Sequence, residues 1–249
     1  MRYRMDLSYS GADFCGWQIQ PDAPSVQGTL ENALGVLLKA EVPVTGAGRT
    51  DTGVNASAYV AHFDHSGPLD TEQLVYRLNA ILPESVAVRS IERVPDEFHA
   101  RFGAVRREYT YYLHRRKDPF LAGRSYYYAY PGLDFEKMNE AAALLVGTKD
   151  FCCFEKKGAD NKTSVCTIFE AAWHQVGDSS WCFRIAGDRF LRNMVRAIVG
   201  TLLEVGRGKR SVEGFSALLS SGTRCDAGES VPGYALFLSG VEYQEQFLQ

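Results

Sequence analysis

The sequence predicts an α+β protein built in two halves, each with a mainly antiparallel sheet and helices packed against it. Two observations predict this. Runs with apolar residues at every second position alternate with runs at helical spacing from one end of the chain to the other. Turn-forming residues punctuate nearly every junction, and the order of runs changes past residue 100 without an internal repeat. The 249 residues, 45% hydrophobic and 23% charged, suffice for one large domain or two small ones. We expect a division into 1–103 and 104–249.

In chain order, residues 1–9 alternate Met1, Tyr3, Met5, Leu7 and Tyr9 against Arg2, Arg4, Asp6 and Ser8, the pattern of a half-buried strand. A loop with Gly11, Gly16, Pro21 and Pro24 follows. Ser25 then stands as the cap of a helix carrying Leu30, Leu34, Leu37 and Leu38 on one face. Short strands are expected at 42–47 and 56–63. Asp70 or Thr71 opens a second helix that runs through Leu82 and stops at Pro83. Strands at about 86–94 and 105–114 follow. Beyond them, Asp134 starts a helix ending near Gly147, with strands at 165–176 and 180–187. A long helix is expected over 189–205, a shorter one over 212–220, and a last strand over 234–243.

No apolar stretch approaches the roughly 18–20 residues that span a bilayer, and the N-terminal residues lack a signal-peptide core. A cytoplasmic protein is expected. The six cysteines (Cys15, Cys152, Cys153, Cys166, Cys182, Cys225) form no C-x-x-C pair and read as reduced, packed thiols. His62 and His65 make an H-x-x-H on a strand-like run, a weak signal, so no metal is expected. The net charge of −3 hides a segregation: residues 101–118 carry six Arg/Lys against two acids, and residues 184–210 seven against two. Phosphate binding depends on such local fields rather than on the total, although two solvated basic faces would give the same counts.

Two runs carry chemistry on their faces. Helical spacing over 189–205 puts Leu191, Met194, Val195, Ile198 and Leu202 on one side and Arg189, Arg192 and Arg196 in a row opposite. Such a row is either a solvated stripe or a set of guanidinium groups facing phosphates or a carboxylate. On 105–114, Tyr109, Tyr111 and Leu113 share one face, interleaved with arginines as base-stacking surfaces are, and also as a sheet core would be.

The segment Gly46-Ala-Gly-Arg-Thr-Asp-Thr-Gly-Val places three glycines, an arginine and an aspartate between two strands. It fits neither dinucleotide nor P-loop phosphate binding, because Asp51 occupies the place of a third glycine and no Lys-Ser/Thr follows. By residue type alone Asp51 reads more readily as a turn residue bonding its own backbone than as a catalytic group.

Here the sequence resembles the tRNA pseudouridine synthase A (TruA) family. The resemblance rests on ordered motifs: Phe14-Cys-Gly-Trp-Gln-Ile-Gln, Ser25-Val-Gln-Gly-Thr-Leu-Glu-Asn-Ala-Leu, the Gly46–Val54 segment, Phe98-His-Ala-Arg-Phe and Arg107-Glu-Tyr-Thr-Tyr. It continues with Gly147-Thr-Lys-Asp-Phe, Phe190-Leu-Arg-Asn-Met-Val-Arg-Ala-Ile-Val-Gly and Val231-Pro-Gly-Tyr-Ala-Leu-Phe-Leu. The resemblance implies an RNA-recognition-like pair of α+β halves flanking a basic central cleft, a homodimer, and no metal or organic cofactor. It implies as substrate the uridines at positions 38–40 of the anticodon arm of tRNA. It also implies Asp51 as the catalytic nucleophile, Arg49 as the arginine that helps displace the target base, Tyr109 against the uridine, and Arg196 paired with the catalytic carboxylate. Two positions depart from the family pattern: Asn55 stands where His is usual, which removes a titratable ring, and Ala235 stands where Gly is usual.

The chemistry suits these residues. Making pseudouridine breaks N1–C1′, turns the uracil and joins C5 to C1′, so the base must first leave its stack. Glycosidases generally need a second carboxylic acid to protonate the leaving group. Uracil spreads negative charge over its carbonyls, so one carboxylate is enough if the base stays enclosed. Rival readings are a non-catalytic double RNA-recognition-like RNA-binding protein, a nucleoside glycosidase that releases free uracil, and a small-molecule enzyme with incidental basic patches.

Overall fold

The computed structural model describes residues 1–156, 158 and 162–244. Its chain forms two compact units, Met1–Arg107 with the closing segment from Phe237, and Glu108–Leu236. This differs from a division at 103/104 in two ways. The strand over 104–114 belongs partly to each unit, and the closing strand returns to the first unit because its hydrogen-bond partner lies there.

In the first unit, strand β1 (Arg2–Tyr9) is central, with helix α1 (Val26–Leu38), short strand β2 (Thr45–Gly46), strand β3 (Asn55–Asp64), helix α2 (Thr71–Ile81) and strand β4 (Val86–Val94) following. β1 pairs antiparallel with β3, Met5 facing Ala61, and with β4, Met5 facing Ile91. The alternation seen in the sequence is a true in–out pattern: Tyr3, Met5, Leu7 and Tyr9 are buried. Ser25 and Asp70 cap α1 and α2 by accepting from the N–H groups of Gly28 and Gln73, as their residue types predict. Val26, Leu30, Ala33 and Leu34 of α1 and Leu74 and Leu78 of α2 are buried, while Leu37 and Leu38, expected on the same face of α1, are half-buried.

The second unit takes most of strand β5 (Ala104–His114), then β6 (Tyr126–Tyr127), helix α3 (Phe135–Ala143), β7 (Gly147–Asp150), β8 (Val165–Gly177), β9 (Ser180–Gly187), and helices α4 (Met194–Gly206) and α5 (Val212–Ser221). Its strand order is β5-β9-β8-β7, with β6 parallel beside β5. β10 (Leu236–Tyr243) then pairs parallel with β3, Phe237 opposite Asn55.

Two expected helices are corrected. The helix expected over 189–205 begins only at Met194, because Asn193 takes a left-handed backbone (φ 66°) at its N-cap. Arg189 and Arg192 therefore precede the helix, and no row of three arginines runs along it. α3 also stops at Ala143, which frees Gly147 to open β7. α4 is buried along most of its length, including Met194, Val195, Ile198 and Leu202 from the face read in the sequence. No helix among the described residues is long and apolar enough to cross a membrane.

Candidate active site

Asp51 lies in the turn joining β2 to β3, and the local sequence explains why the turn is rigid. Beneath it sits an aromatic trio: the rings of Trp17 and Tyr59 stack at 4.2 Å, and Tyr9 leans on Tyr59 at 5.4 Å. Each member reaches the turn with a polar atom or with backbone. The Tyr59 hydroxyl donates to the Gly48 carbonyl. The Tyr9 hydroxyl and Thr50 Oγ1 share a hydrogen bond of 2.9 Å. The Trp17 N–H donates to the Thr50 carbonyl at 3.3 Å. The turn closes on itself through Val54 N–H to the Asp51 carbonyl, 3.1 Å.

The glycines are steric requirements of this arrangement. A Cβ on Gly46 would stand 2.2 Å from the Tyr59 hydroxyl oxygen and 2.5 Å from the Trp17 ring. Gly16 has φ +98°, and a Cβ there would meet the Thr50 carbonyl at 2.4 Å. Asn55, the departure from His, is buried and its Oδ1 accepts from the Gly11 N–H at 2.9 Å, which ties the preceding loop to β3. A neutral acceptor serves that bond as well as an imidazole nitrogen would.

Arg107 fixes the other end of the turn. Its guanidinium donates to the Ala47 carbonyl from Nε and Nη2 (3.3 and 3.1 Å), and to the carbonyls of Ala104 and Arg101. The result is a loop whose backbone is held along its length, while the Asp51 side chain is only half-buried and Arg49 is exposed. Arg49 Nε donates to Gln18 Oε1 at 3.2 Å. Gln18 in turn donates to Gln27 Oε1, and Gln27 to Glu31 Oε1, each at 3.0 Å, so a line of side-chain bonds from α1 orients the arginine. Beside the turn lies a pocket of about 190 Å³ lined in part by Trp17, Gln18, Gly48, Arg49 and Arg101.

The other two predicted site residues lie in the second unit. Tyr109, on β5, is half-buried and packs edge-on against Phe190, centroids 5.1 Å apart at 85°. Phe190 opens the Phe190–Gly200 motif, and its residue type alone does not point to Tyr109. Its position before the left-handed Asn193 lets the chain leave β9 and present the ring to Tyr109. Tyr111 and Leu113 are fully buried core. Arg196 stands on the first turn of α4, with Nε donating to the Val231 carbonyl at 2.7 Å, and the Val231 N–H returns a bond to the Arg196 carbonyl at 3.2 Å. Burial, helped by neighbouring Tyr234 and Tyr126, pushes the Tyr111 hydroxyl well above its ordinary range, against the opposing charge of Arg196.

The histidines and cysteines go elsewhere. Buried His62 accepts from the Ala100 N–H at Nδ1 (3.1 Å), and His65 bonds Gly67. All six cysteines are free thiols, but only Cys153, Cys166 and Cys182 are buried; Cys152 and Cys225 are exposed, so packing describes half of them. Ala235, the other departure, is fully buried in a short 3-10 turn before β10.

A family model described as tRNA pseudouridine synthase matches residues 7–103 and 141–244, which include the Asp51 turn and Arg196. The chain belongs to this family of isomerases. Among its relatives it is 49% identical over 250 residues to the tRNA pseudouridine synthase A of Bacteroides fragilis, covering 100% of this chain and 98% of that one. It is 51% identical over 247 residues to the tRNA pseudouridine synthase A of Bacteroides thetaiotaomicron, covering 98% and 91%. With that of Bacillus subtilis the identity is 42% over 246 residues, covering 98% and 99%.

Proposed function

We propose that this pseudouridine synthase isomerises uridines 38–40 in the anticodon arm of tRNA, with Asp51 as its nucleophile. The observation that carries the reading is the clamped turn: a half-buried carboxylate and an exposed arginine two residues apart, on a backbone fixed by Tyr9, Trp17, Tyr59 and Arg107. Such preorganisation is what a reacting group needs, because a carboxylate displaced by an ångström loses much of its effect.

In the reaction, Arg49 enters the place the target base leaves, and Tyr109, backed edge-on by Phe190, stacks on the extruded uracil. The Asp51 carboxylate acts on the flipped nucleotide as N1–C1′ breaks, and the uracil turns before C5 bonds to C1′. The C5 proton is then lost and N1 regains one, so the atoms balance with no net oxidation. Arg196 pairs with the carboxylate and keeps the charge from standing alone in a dry site. The chain works without a cofactor, as a homodimer in the cytoplasm. Its substrate is drawn by the basic stretches at 101–118 and 184–210.

Tritium release from tRNA carrying 5-tritiated uridine tests the assignment. Asp51→Asn should fold, bind tRNA and release no tritium. Retained turnover would remove Asp51 from the chemistry, and release of free uracil by the wild type would favour a glycosidase. Mapping pseudouridine in tRNA from cells lacking the protein tests the positions: those at 38–40 should disappear.

A further inference from the structure

We propose that the pocket beside the Asp51 turn is a phosphate subsite, in which Arg101, together with the Gln18 amide, holds a phosphodiester of the substrate strand next to the nucleotide that Arg49 displaces. The proposal rests on the reading of this turn as the catalytic one. It adds a binding residue, Arg101, and a ligand group for the pocket.

The pocket is lined by Trp17, Gln18, Gln27, Val44, Thr45, Gly46, Gly48, Arg49 and Arg101, with no carboxylate among them. Gln27 is fully engaged: its amide donates to Glu31 and to the Val44 carbonyl and accepts from Gln18 and the Ile19 N–H. Gln18 has its oxygen on Arg49 Nε and one N–H on Gln27, which leaves one N–H open. The terminal guanidinium nitrogens of Arg49 and Arg101 make no hydrogen bond among the described residues. Arg49 leaves for the place of the displaced base, so the Arg101 guanidinium and the Gln18 amide N–H are the donors that remain for an oxyanion.

The lining does not suit a nucleobase. Base pockets offer an aromatic face for stacking. The one ring in this pocket, Trp17, is only 3% exposed and already stacked on Tyr59.

Arg101 is held by its backbone on every side. Its N–H and that of Phe102 donate to His99 Nδ1 at 3.1 and 3.2 Å, and its carbonyl accepts from Arg107. The neighbouring Ala100 is fixed by His62 at its N–H and by the Tyr243 hydroxyl, 2.7 Å, at its carbonyl. The Arg101 guanidinium lies 5.4 Å from the centroid of the exposed Phe102 ring. The side chain is exposed and makes no ion pair among the described residues, and its fixed backbone presents the guanidinium to the pocket.

The test is tRNA affinity over a salt series for wild type, Arg101→Gln and Arg101→Lys, alongside tritium release at saturating tRNA and thermal melting of each. Arg101→Gln should melt like the wild type and bind more weakly. Its slope of log K against log salt should be shallower by roughly 0.7 to 0.9, the loss of one phosphate contact. Its rate at saturation should match the wild type, and Arg101→Lys should keep the wild-type slope. An unchanged slope in Arg101→Gln, with wild-type activity intact, overturns the phosphate subsite alone. A saturating rate that falls with no change in slope overturns it too, by placing Arg101 at the reacting base. A wild type that neither binds tRNA in a salt-dependent way nor releases tritium overturns both the subsite and the function beneath it.

Discussion

Tyr109 and Tyr111 stand two residues apart on the same face of β5 and serve different purposes. Tyr111 is sealed in the core, whereas Tyr109 keeps part of its ring open and rests its edge on Phe190. In the proposed reaction Tyr109→Phe should keep most of the activity, since stacking survives, and Tyr109→Leu should lose most of it. Tritium release at saturating tRNA measures both, and a fully active Leu variant would take Tyr109 away from the base. At this scale the sequence singles out residues that are conspicuous in their setting, as Asp51 and Arg49 are among glycines. It is silent where the role depends on a distant partner. Nothing in the run around Asn55 says that its amide receives the Gly11 N–H, and nothing near Arg101 says that His62, on another strand, helps to hold that segment.

Elements were legible where their cause is local. Ser25, Asp70, Asp134 and Ser211 each accept from an N–H three residues on, so the starts of α1, α2, α3 and α5 could be read directly. The start of α4 could not, because an asparagine in the left-handed region carries no signal that distinguishes it from a helical one. Strands as short as β6 and β7 show too few residues for a period, and strand order is fixed by contacts far apart in sequence. The segment 98–103 is an element of another kind, a turn hung on imidazole nitrogens. Burial, reinforced by the nearby Arg2 and His99 charges, pushes His62 down to about 4, and burial also lowers His99. Both rings accept backbone N–H bonds at Nδ1 and must be neutral there. The unfolded chain takes up protons near the ordinary histidine value of about 6.5, before the folded one does. Stability should therefore be full above that value and fall as the pH drops toward about 4, by up to about 3 kcal/mol from His62. Urea denaturation across this range should show a shallower fall in His62→Gln, which keeps an acceptor but cannot titrate. Equal slopes would exclude His62 as the titrating group.

For the molecule as a whole, the division into two halves was visible in the sequence but the chain's return to its first unit was not, because a two-residue parallel pairing leaves no pattern. That return sets much of the first unit's stability. Tyr243, on β10, packs with Ala47, Val60, Val94, Phe98 and Ala100 and bonds the Ala100 carbonyl. Tyr243→Ala should cost about 3–5 kcal/mol in urea unfolding, the usual cost of removing a buried ring. Tyr243→Phe should cost about 1 kcal/mol for the hydrogen bond. A Tyr243→Ala variant as stable as the wild type would show that the closing strand is dispensable to this core. The same feature governs the order of events at the ribosome. When β3 and the Asp51 turn emerge, the ring that fills the space beside Ala47 does not yet exist, and it arrives only after the entire second unit has been made. The second unit can thus complete its fold on the nascent chain, while the first waits with one edge of β3 open. The Asp51 turn can thus take its bonds from Tyr9, Trp17, Tyr59 and Arg107 early, while the apolar packing beside Ala47 waits for a ring made after the whole second unit.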